Sequence, residues 1–457
     1  MQTVKENAGL YYPPITLLNA SQRKFNMKET FSETVRLNTY SSRENWPPYT
    51  YRDYPDIKPE TYNSFMEFLS TENTSDKVME LQAWISFCSS KCTFCFYPTT
   101  PYSKTKIEPY LEALKKELQM YAETKYVKTS EFDEIVLGGG TPSVLTAEQM
   151  IDLISYCEKN FNTTKDYFIK ISGSTRSFDE KKLAAAAEYG VYQVDIGAQT
   201  FDNKIRKMLN LPDSAENAER RIKAARKLGL CVCIDLMYNL PGQTMESMIA
   251  SVKKAIELDV EVDCYLLEPY PGTILDKQLK SGQVPPLGDS EAQTKMYMAA
   301  YDLFTQAGYK PVGHDRFSRV EWHIKESCLN GWPWAGILTT GAGCIMGYLQ
   351  RYSYTNVESV KAYIEAISNK RFPISRLSKS TDEDMMRKVM TKLYLRLPVD
   401  KLEFLERFGK LPEAVFPDQL KRLKEKGLIE IDEKEIRITR LGDVWKANIA
   451  WEFAARP

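Results

Sequence analysis

The chain has 457 residues, too many for one ordinary core, so a large domain plus a smaller one is expected. Lys+Arg and Asp+Glu each number 61, a zero net charge that argues against nucleic acid as the main partner. No apolar run reaches the roughly 18 residues of a membrane span, the start lacks a charged-then-apolar signal, and nine cysteines suit reduced cytoplasmic thiols better than a disulfide framework.

Residues 1–80 are rich in Tyr, Pro, Asn, Ser and Thr with poor periodicity, as in Y-Y-P-P and N-W-P-P-Y-T-Y-R-D-Y-P. They read as an irregular N-terminal extension that covers the main domain. From 81 to 275 the pattern turns regular. A short strand at Trp84–Ser86 runs into a cysteine loop, and a helix follows with Leu111, Leu114, Leu118 and Tyr121 on one face. Strand Phe132–Leu137 ends in Gly138-Gly139-Gly140, and Thr146 with Gln149 forms a capping box for the next helix. Strand Tyr167–Ser172 precedes a second expected capping box, Ser177 with Glu180, on a helix that Gly190 should stop. Strand Val191–Ile196, a helix stopped by Gly229, strand Leu230–Leu236, the N-L-P-G-Q turn, a further helix and strand Asp263–Leu267 complete the series. Six strand-then-helix units predict an α/β fold with a parallel sheet and right-handed crossovers. In barrels of this kind the chemistry gathers at the C-terminal strand ends, where the cysteine loop, the triple glycine and N-L-P-G-Q all fall. Residues 276–375 are mixed and read as barrel completion and substrate region, with T-T-G-A-G at 339–343. Residues 376–457 are helical, then carry strands Leu428–Ile431 and Ile436–Ile438 and a last helix from Leu441, a winged-helix-like layout. Its mixed charge favours a lid or packing domain over DNA binding.

Cys88, Cys92 and Cys95 form C-x3-C-x2-C. Three thiolates so spaced suit three irons of a cubic iron–sulfur cluster, leaving the fourth iron open. Structural zinc would want a fourth ligand, usually a second C-x2-C pair, and neither His314 nor His323 is near in sequence. Three unrelated buried thiols are the plain alternative. Gly138-Gly139-Gly140-Thr141-Pro142 lets backbone approach a polar ligand, or is a tight turn. Asp235 interrupts the apolar strand C-V-C-I-D-L-M-Y, where a carboxylate needs a partner in the protein or in a ligand.

Taken in order, C-x3-C-x2-C after a strand, G-G-G-T-P-S, I-G-A-Q-T-F and I-D-L-M-Y-N-L-P-G-Q-T resemble the HemN-like branch of radical S-adenosylmethionine (SAM) enzymes. The likeness runs from about residue 81 to 270 and continues more weakly through T-G-A-G and the tail. It implies a radical SAM partial (β/α)6 barrel with a HemN-like C-terminal domain. It also implies a [4Fe-4S] cluster on Cys88, Cys92 and Cys95 whose open iron is chelated by SAM, which an electron cleaves to a 5′-deoxyadenosyl radical. A second SAM is implied beside the first. Gly139 resembles a contact to the first SAM; Phe94, Gly140, Thr141, Gln199 and Asp235 resemble contacts to the second. Two family contacts depart from the pattern: a Glu reads Ser172, and an Arg reads Leu211, with Arg206 one turn earlier as the substitute.

Coproporphyrinogen oxidases of this branch read Y-x-H-x-P-F-C with a further Cys two after the third. Gln82, Trp84, Ser86 and Tyr97 stand at those positions here. The runs S-G-S-T-R-S-F-D, I-G-A-Q-T-F-D-N-K-I-R-K-M and G-A-G…Y-S-Y-T-N look closer to the class C methyltransferases, both anaerobic heme-degrading and menaquinone ring enzymes. The expectation is therefore an anaerobic, cytoplasmic C-methyltransferase using two SAM molecules on an sp2 carbon of a conjugated apolar small molecule. The menaquinone ring comes first as substrate, heme or another tetrapyrrole second. An oxygen-independent coproporphyrinogen III oxidase-like enzyme and a non-catalytic cluster-bearing heme-binding protein are the alternatives. Glu268 and His314, near the end of the sixth strand, are the candidate catalytic bases. A flavodoxin or ferredoxin is the expected electron donor, with peripheral membrane contact if the substrate is a quinone.

Overall fold

The computed structural model describes residues 39–48, 54–319, 331–345 and 347–454. Six strands alternate with helices, as the periodicity predicts. They are β1 (Met79–Ile85), β2 (Phe132–Gly139), β3 (Thr163–Ser174), β4 (Gln193–Gln199), β5 (Cys231–Tyr238) and β6 (Glu261–Leu266). The intervening helices include α1 (Pro59–Leu69) before the sheet, α2 (Lys104–Ala122), α3 (Ala147–Asn160), α4 (Glu180–Tyr189), α5 (Asn203–Met208), α6 (Ala215–Lys227) and α7 (Met245–Leu258). All five neighbouring pairs from β1 to β6 are parallel. This α/β arrangement is the partial barrel expected.

The sheet is wider than the six units. It has 12 strands. Strand 337–340 adds parallel to β1, followed by antiparallel strands 347–349, 352–356 and 374–379; strands 316–318 and 310–312 extend the β6 side. Near the C-terminus, strands Ile429–Ile431 and Glu435–Ile438 pair antiparallel after helix Pro417–Glu425, as the winged layout predicts.

Strand alternation separates two faces. Leu81, Ala83, Ile85, Ile135, Leu137, Ile169, Ile171, Val194 and Ile196 pack in the main hydrophobic cluster with the helices. The opposite alternation carries Glu80, Gln82, Glu134, Lys170, Asp195, Cys233, Asp235 and Asp263. These polar groups pair with one another: Lys170 to Glu134 at 2.5 Å, and Arg316 to both oxygens of Asp263 at 2.9 and 2.8 Å. The polar side chains explain why the sequence placed β1 too late, at Trp84–Ser86. Glu80 and Gln82 break its apolar run although every residue of the strand is buried.

Two local expectations change. Asp179, not Ser177, caps α4, accepting a hydrogen bond from Lys182 N–H at 2.9 Å. Ser177 instead bonds Ser143 and Ser174. Helix α1 lies in a stretch that read as irregular; Pro59 begins it and Phe65 and Leu69 bury its apolar face. The Thr146–Gln149 capping box forms, and Gly190 ends α4 at φ +98°.

Candidate functional site

β1 delivers the chain straight into the cysteine loop. Phe87–Cys88 pairs with Thr100–Pro101, and Thr100 N–H donates to Ser86 O at 2.7 Å while Tyr102 N–H donates to Cys88 O at 2.9 Å. These bonds close the loop at its base. Its crown is held separately. Thr93 N–H donates to Leu209 O at 3.0 Å, Leu275 N–H donates to Thr93 O at 2.8 Å, and Phe94 packs on a small cluster of Ile205, Leu209, Leu240, Leu267 and Leu275. Phe94 thus anchors the loop.

Cys88, Cys92 and Cys95 are all half-buried free thiols. Burial, followed by the neighbouring Cys95 and Cys88, pushes the Cys92 thiol up to about 12. The three sulfurs therefore lie within electrostatic reach of one another, a cost that a cationic metal centre removes by binding the thiolates. Among the described residues no three His, Cys, Asp or Glu side chains converge on a single metal ion. A cubic cluster makes a different demand, since each thiolate meets its own iron at a separate corner.

The triple glycine is explained by close approach. A Cβ on Gly139, whose φ is +106°, would lie 2.7 Å from Trp84 Cδ1 and 2.8 Å from Ile85 N. On Gly140 it would lie 2.9 Å from Phe87 O, 3.0 Å from Ile85 O and 3.1 Å from Cys88 Sγ. Thr141 Oγ1 is 3.1 Å from Cys88 Sγ. The end of β2 thus lies directly on the start of the cysteine loop. Beside it, the indole Nε1 of buried Trp84 has no hydrogen-bond partner among the described residues. Such an orphan is costly without an acceptor, and a ligand held against the Gly139 turn would supply one.

Gln199 and Asp235 are brought together at the ends of β4 and β5. Gln199 has φ +63°, a strained value for a residue with a side chain, and its side chain hydrogen-bonds Asp235. Burial, followed by Asp263 and Asp195, pushes the Asp235 carboxyl up to about 8. Asp263 sits opposite Asp235 in register but is held at about 2: burial opposes its charge, and bidentate Arg316 outweighs burial.

Where the expected Glu is replaced, Ser172 on β3 stands opposite Asp195 on β4 and donates to it at 3.4 Å. Asp195 escaped notice in the sequence, although V-D-I breaks an apolar strand just as C-I-D-L does. Arg206, the expected substitute for the missing Arg, is largely committed to backbone. It is buried and donates to the carbonyls of Ala198, Thr200, Pro212 and Asp213 at 2.6, 2.9, 3.0 and 3.1 Å. Four of its five N–H donors hold the chain after β4.

His314 lies at the mouth beyond β6, ringed by Trp46, Tyr265 and Tyr394 at centroid distances of 6.5, 6.1 and 6.1 Å. Burial lowers its pKa. Its Nδ1 accepts Asp315 N–H at 3.0 Å, so in the neutral ring Nε2 carries the proton and donates. Asn45 reaches the Glu268 carboxylate at 3.5 Å. The two candidate bases are thus near the barrel mouth, but the basic nitrogen of His314 is turned to its own backbone.

Residues 84–255 match the family model of the Radical SAM superfamily, and residues 380–445 match that of the HemN C-terminal domain. The chain thus carries a Radical SAM domain followed by a HemN-type C-terminal domain. The superfamily uses a [4Fe-4S] cluster and SAM, and the cysteine triad, the open glycine turn and the orphaned Trp84 Nε1 fit both. The chain is 28% identical over 366 residues to the heme chaperone HemW of Bacillus subtilis, covering 78% of this chain and 94% of that one. It is 24% identical over 410 residues to the anaerobilin synthase of Escherichia coli O157:H7, covering 86% and 88%. Its fold matches the structure of coproporphyrinogen III oxidase (HemN) from Escherichia coli with a TM-score of 0.77 and 21% identity, over 91% of this chain and 97% of that one. These relatives are a chaperone, an anaerobilin synthase and an oxidase; none is named a methyltransferase, so the methyltransferase branch expected from sequence has no support among them. Among the described residues no helix is long and apolar enough to cross a membrane.

Proposed function

We propose that this protein is a radical SAM enzyme acting on a tetrapyrrole, with a heme-type macrocycle rather than coproporphyrinogen as substrate. The relatives named for heme, anaerobilin and coproporphyrinogen support the tetrapyrrole in place of the quinone ring expected first. One observation carries the finer choice. The positions that distinguish coproporphyrinogen oxidases are occupied here by side chains with other duties. Gln82 donates to Glu80, Ser86 donates to Ala342 O, and Trp84 packs on Tyr97 at 5.6 Å. The same substitutions leave rings at the barrel mouth: Phe96 lies 4.1 Å from Tyr270 and 4.4 Å from Tyr97, and His314 sits among its three aromatics. Such surfaces suit a flat conjugated ligand.

When bound, the cluster and SAM supply one-electron cleavage of SAM to an organic radical. The protein contributes placement. Cys88, Cys92 and Cys95 would hold the cluster, the Gly139–Thr141 backbone and Trp84 Nε1 would face the adjoining ligand, and Gln199 with Asp235 would form a second polar seat. Asp235, neutral near pH 7, can donate as well as accept there. His314 Nε2–H offers a donor to an acceptor at the substrate edge.

A second reading, a cluster-bearing heme carrier, is favoured by Arg206 and Ser172, which leave two family contacts unfilled. Anaerobic incubation of reconstituted protein with dithionite, SAM and heme decides between them. 5′-Deoxyadenosine with loss of the heme Soret band supports the enzyme; heme binding without 5′-deoxyadenosine supports the carrier. Carbon dioxide and vinyl products from coproporphyrinogen would overturn the substrate choice. Methyl-deuterated SAM in the same reaction tests the methyl transfer expected from sequence: label in the tetrapyrrole retains it, and an unlabelled product removes it.

A further inference from the structure

Glu117 stands apart from every residue discussed above. It projects from α2 and is 0% exposed. Its carboxylate receives Gly341 N–H at 2.7 Å, Tyr363 O–H at 2.6 Å and Asn356 Nδ2–H at 2.7 Å. All three donors are neutral. Asn356 also donates to Gly341 O at 3.0 Å, so carboxylate and amide together grip both peptide groups flanking Gly341 in the T-T-G-A-G loop.

That loop is wedged between the two shoulders of the cysteine loop. On one side, Ser86 donates to Ala342 O, and Tyr110 O–H takes Ala342 N–H at 3.1 Å while donating to Trp84 O at 2.6 Å. Ser86 is two residues before Cys88. On the other side, a Cβ on Gly343 would lie 2.8 Å from Pro98 Cγ, and Pro98 is three residues after Cys95. Gly341, at φ +103°, lies so close to β1 that a Cβ would meet Trp84 O at 2.5 Å. The loop therefore touches the chain just before and just after the three cysteines, and Glu117 holds the loop.

Holding a loop does not by itself require a buried acid. A carboxylate with no cation is expensive to bury, and an apolar filler would be cheaper for the fold. What an acid adds is several strong acceptor directions from one rigid helical position.

We propose that Glu117 is a positioning residue for the iron–sulfur site, fixing through Gly341–Gly343 the spacing of Ser86 and Pro98 and hence the geometry of the Cys88–Cys95 loop. The proposal rests on those cysteines holding a cluster. Groups that orient metal ligands from behind commonly change metal retention on the order of 10-fold when altered.

The test compares reconstituted wild type, Glu117→Gln, Glu117→Ala and Ser86→Ala. The readouts are iron and sulfide content, iron release to a chelator, and the electron paramagnetic resonance (EPR) spectrum of the reduced cluster with and without SAM. Glu117→Ala and Ser86→Ala are expected to release iron on the order of 10-fold faster and to shift the spectrum in the same sense, with Glu117→Gln between them and wild type. Ser86→Ala leaves Glu117 and its three donors intact, so it carries the test if Glu117→Ala does not fold. Folded Glu117→Gln and Ser86→Ala with wild-type iron release and wild-type spectra overturn the proposal, even if Glu117→Gln is less resistant to urea. Wild type that assembles no cluster refutes the cluster reading instead.

Discussion

The three glycines at the end of β2 offer an internally controlled test of how closely β2 and the cysteine loop are packed. Alanine at Gly138 would meet only Val136 Cγ1, at 3.7 Å, an ordinary contact. Gly138→Ala should therefore change stability by less than about 1 kcal/mol, with the loss of unfolded-chain freedom acting in its favour. At Gly140 the added carbon meets two carbonyl oxygens and a sulfur at 2.9–3.1 Å, each closer than an unstrained contact allows. Backbone must shift by tenths of an ångström, an overpacking cost of about 1–3 kcal/mol. Gly139→Ala adds to a 2.7–2.8 Å collision a φ of +106°, which costs an L-residue a further ~1–3 kcal/mol. The order of damage is thus Gly138 far below Gly140, and Gly140 below Gly139. Urea unfolding of the apoproteins measures it, and iron content after reconstitution measures the displacement of Cys88. A Gly138→Ala variant as damaged as Gly140→Ala, or a silent Gly140→Ala, would refute the close-approach argument.

Arg206→Lys should cost about 1–3 kcal/mol, because one ammonium cannot reach carbonyls spread around a planar fork; a urea midpoint equal to wild type would contradict that role. Asp179→Ala should cost about 1 kcal/mol through the lost helix cap, measured by thermal unfolding, whereas no loss would restore Ser177 as the cap. Asp235 predicts a pH effect. Its folded pKa of about 8 lies above an unfolded value of about 3.9, so the folded state holds a proton that the unfolded chain releases. Stability from this group is present at low pH and is lost as pH rises toward 8. Asp235→Asn apoprotein should lose less stability than wild type between pH 5 and pH 8; parallel urea-midpoint curves would sink the assignment.

Much of the site was legible locally. C-x3-C-x2-C, the glycine turn and Asp235 each violate the habits of a simple strand or loop, so each showed in the sequence. Asp195 carries the same signal in V-D-I, but a single interruption in a short strand has many causes and does not point to one role. Arg206 illustrates the opposite failure. One turn from an expected cation, it reads as a substitute, yet four carbonyls of the chain around β4 take four of its five N–H donors. Backbone carbonyls have no sequence signature, so their claim on a side chain is invisible until the chain is folded.

The sequence by itself determined the alternation of six strands and helices and the face on which the motifs gather. Periodicity and glycine positions are local properties, and parallel βαβ units admit few arrangements. Only the tertiary structure decided that Glu117, 224 positions away from Gly341, grips the T-G-A-G loop, and that this loop bridges Ser86 and Pro98. It also decided that Lys170 on β3 pairs with Glu134 on β2, and Asp263 on β6 with Arg316 on the adjoining strand. Such contacts join residues far apart in the chain, and their energies depend on burial and distance, quantities that exist only once the chain has folded.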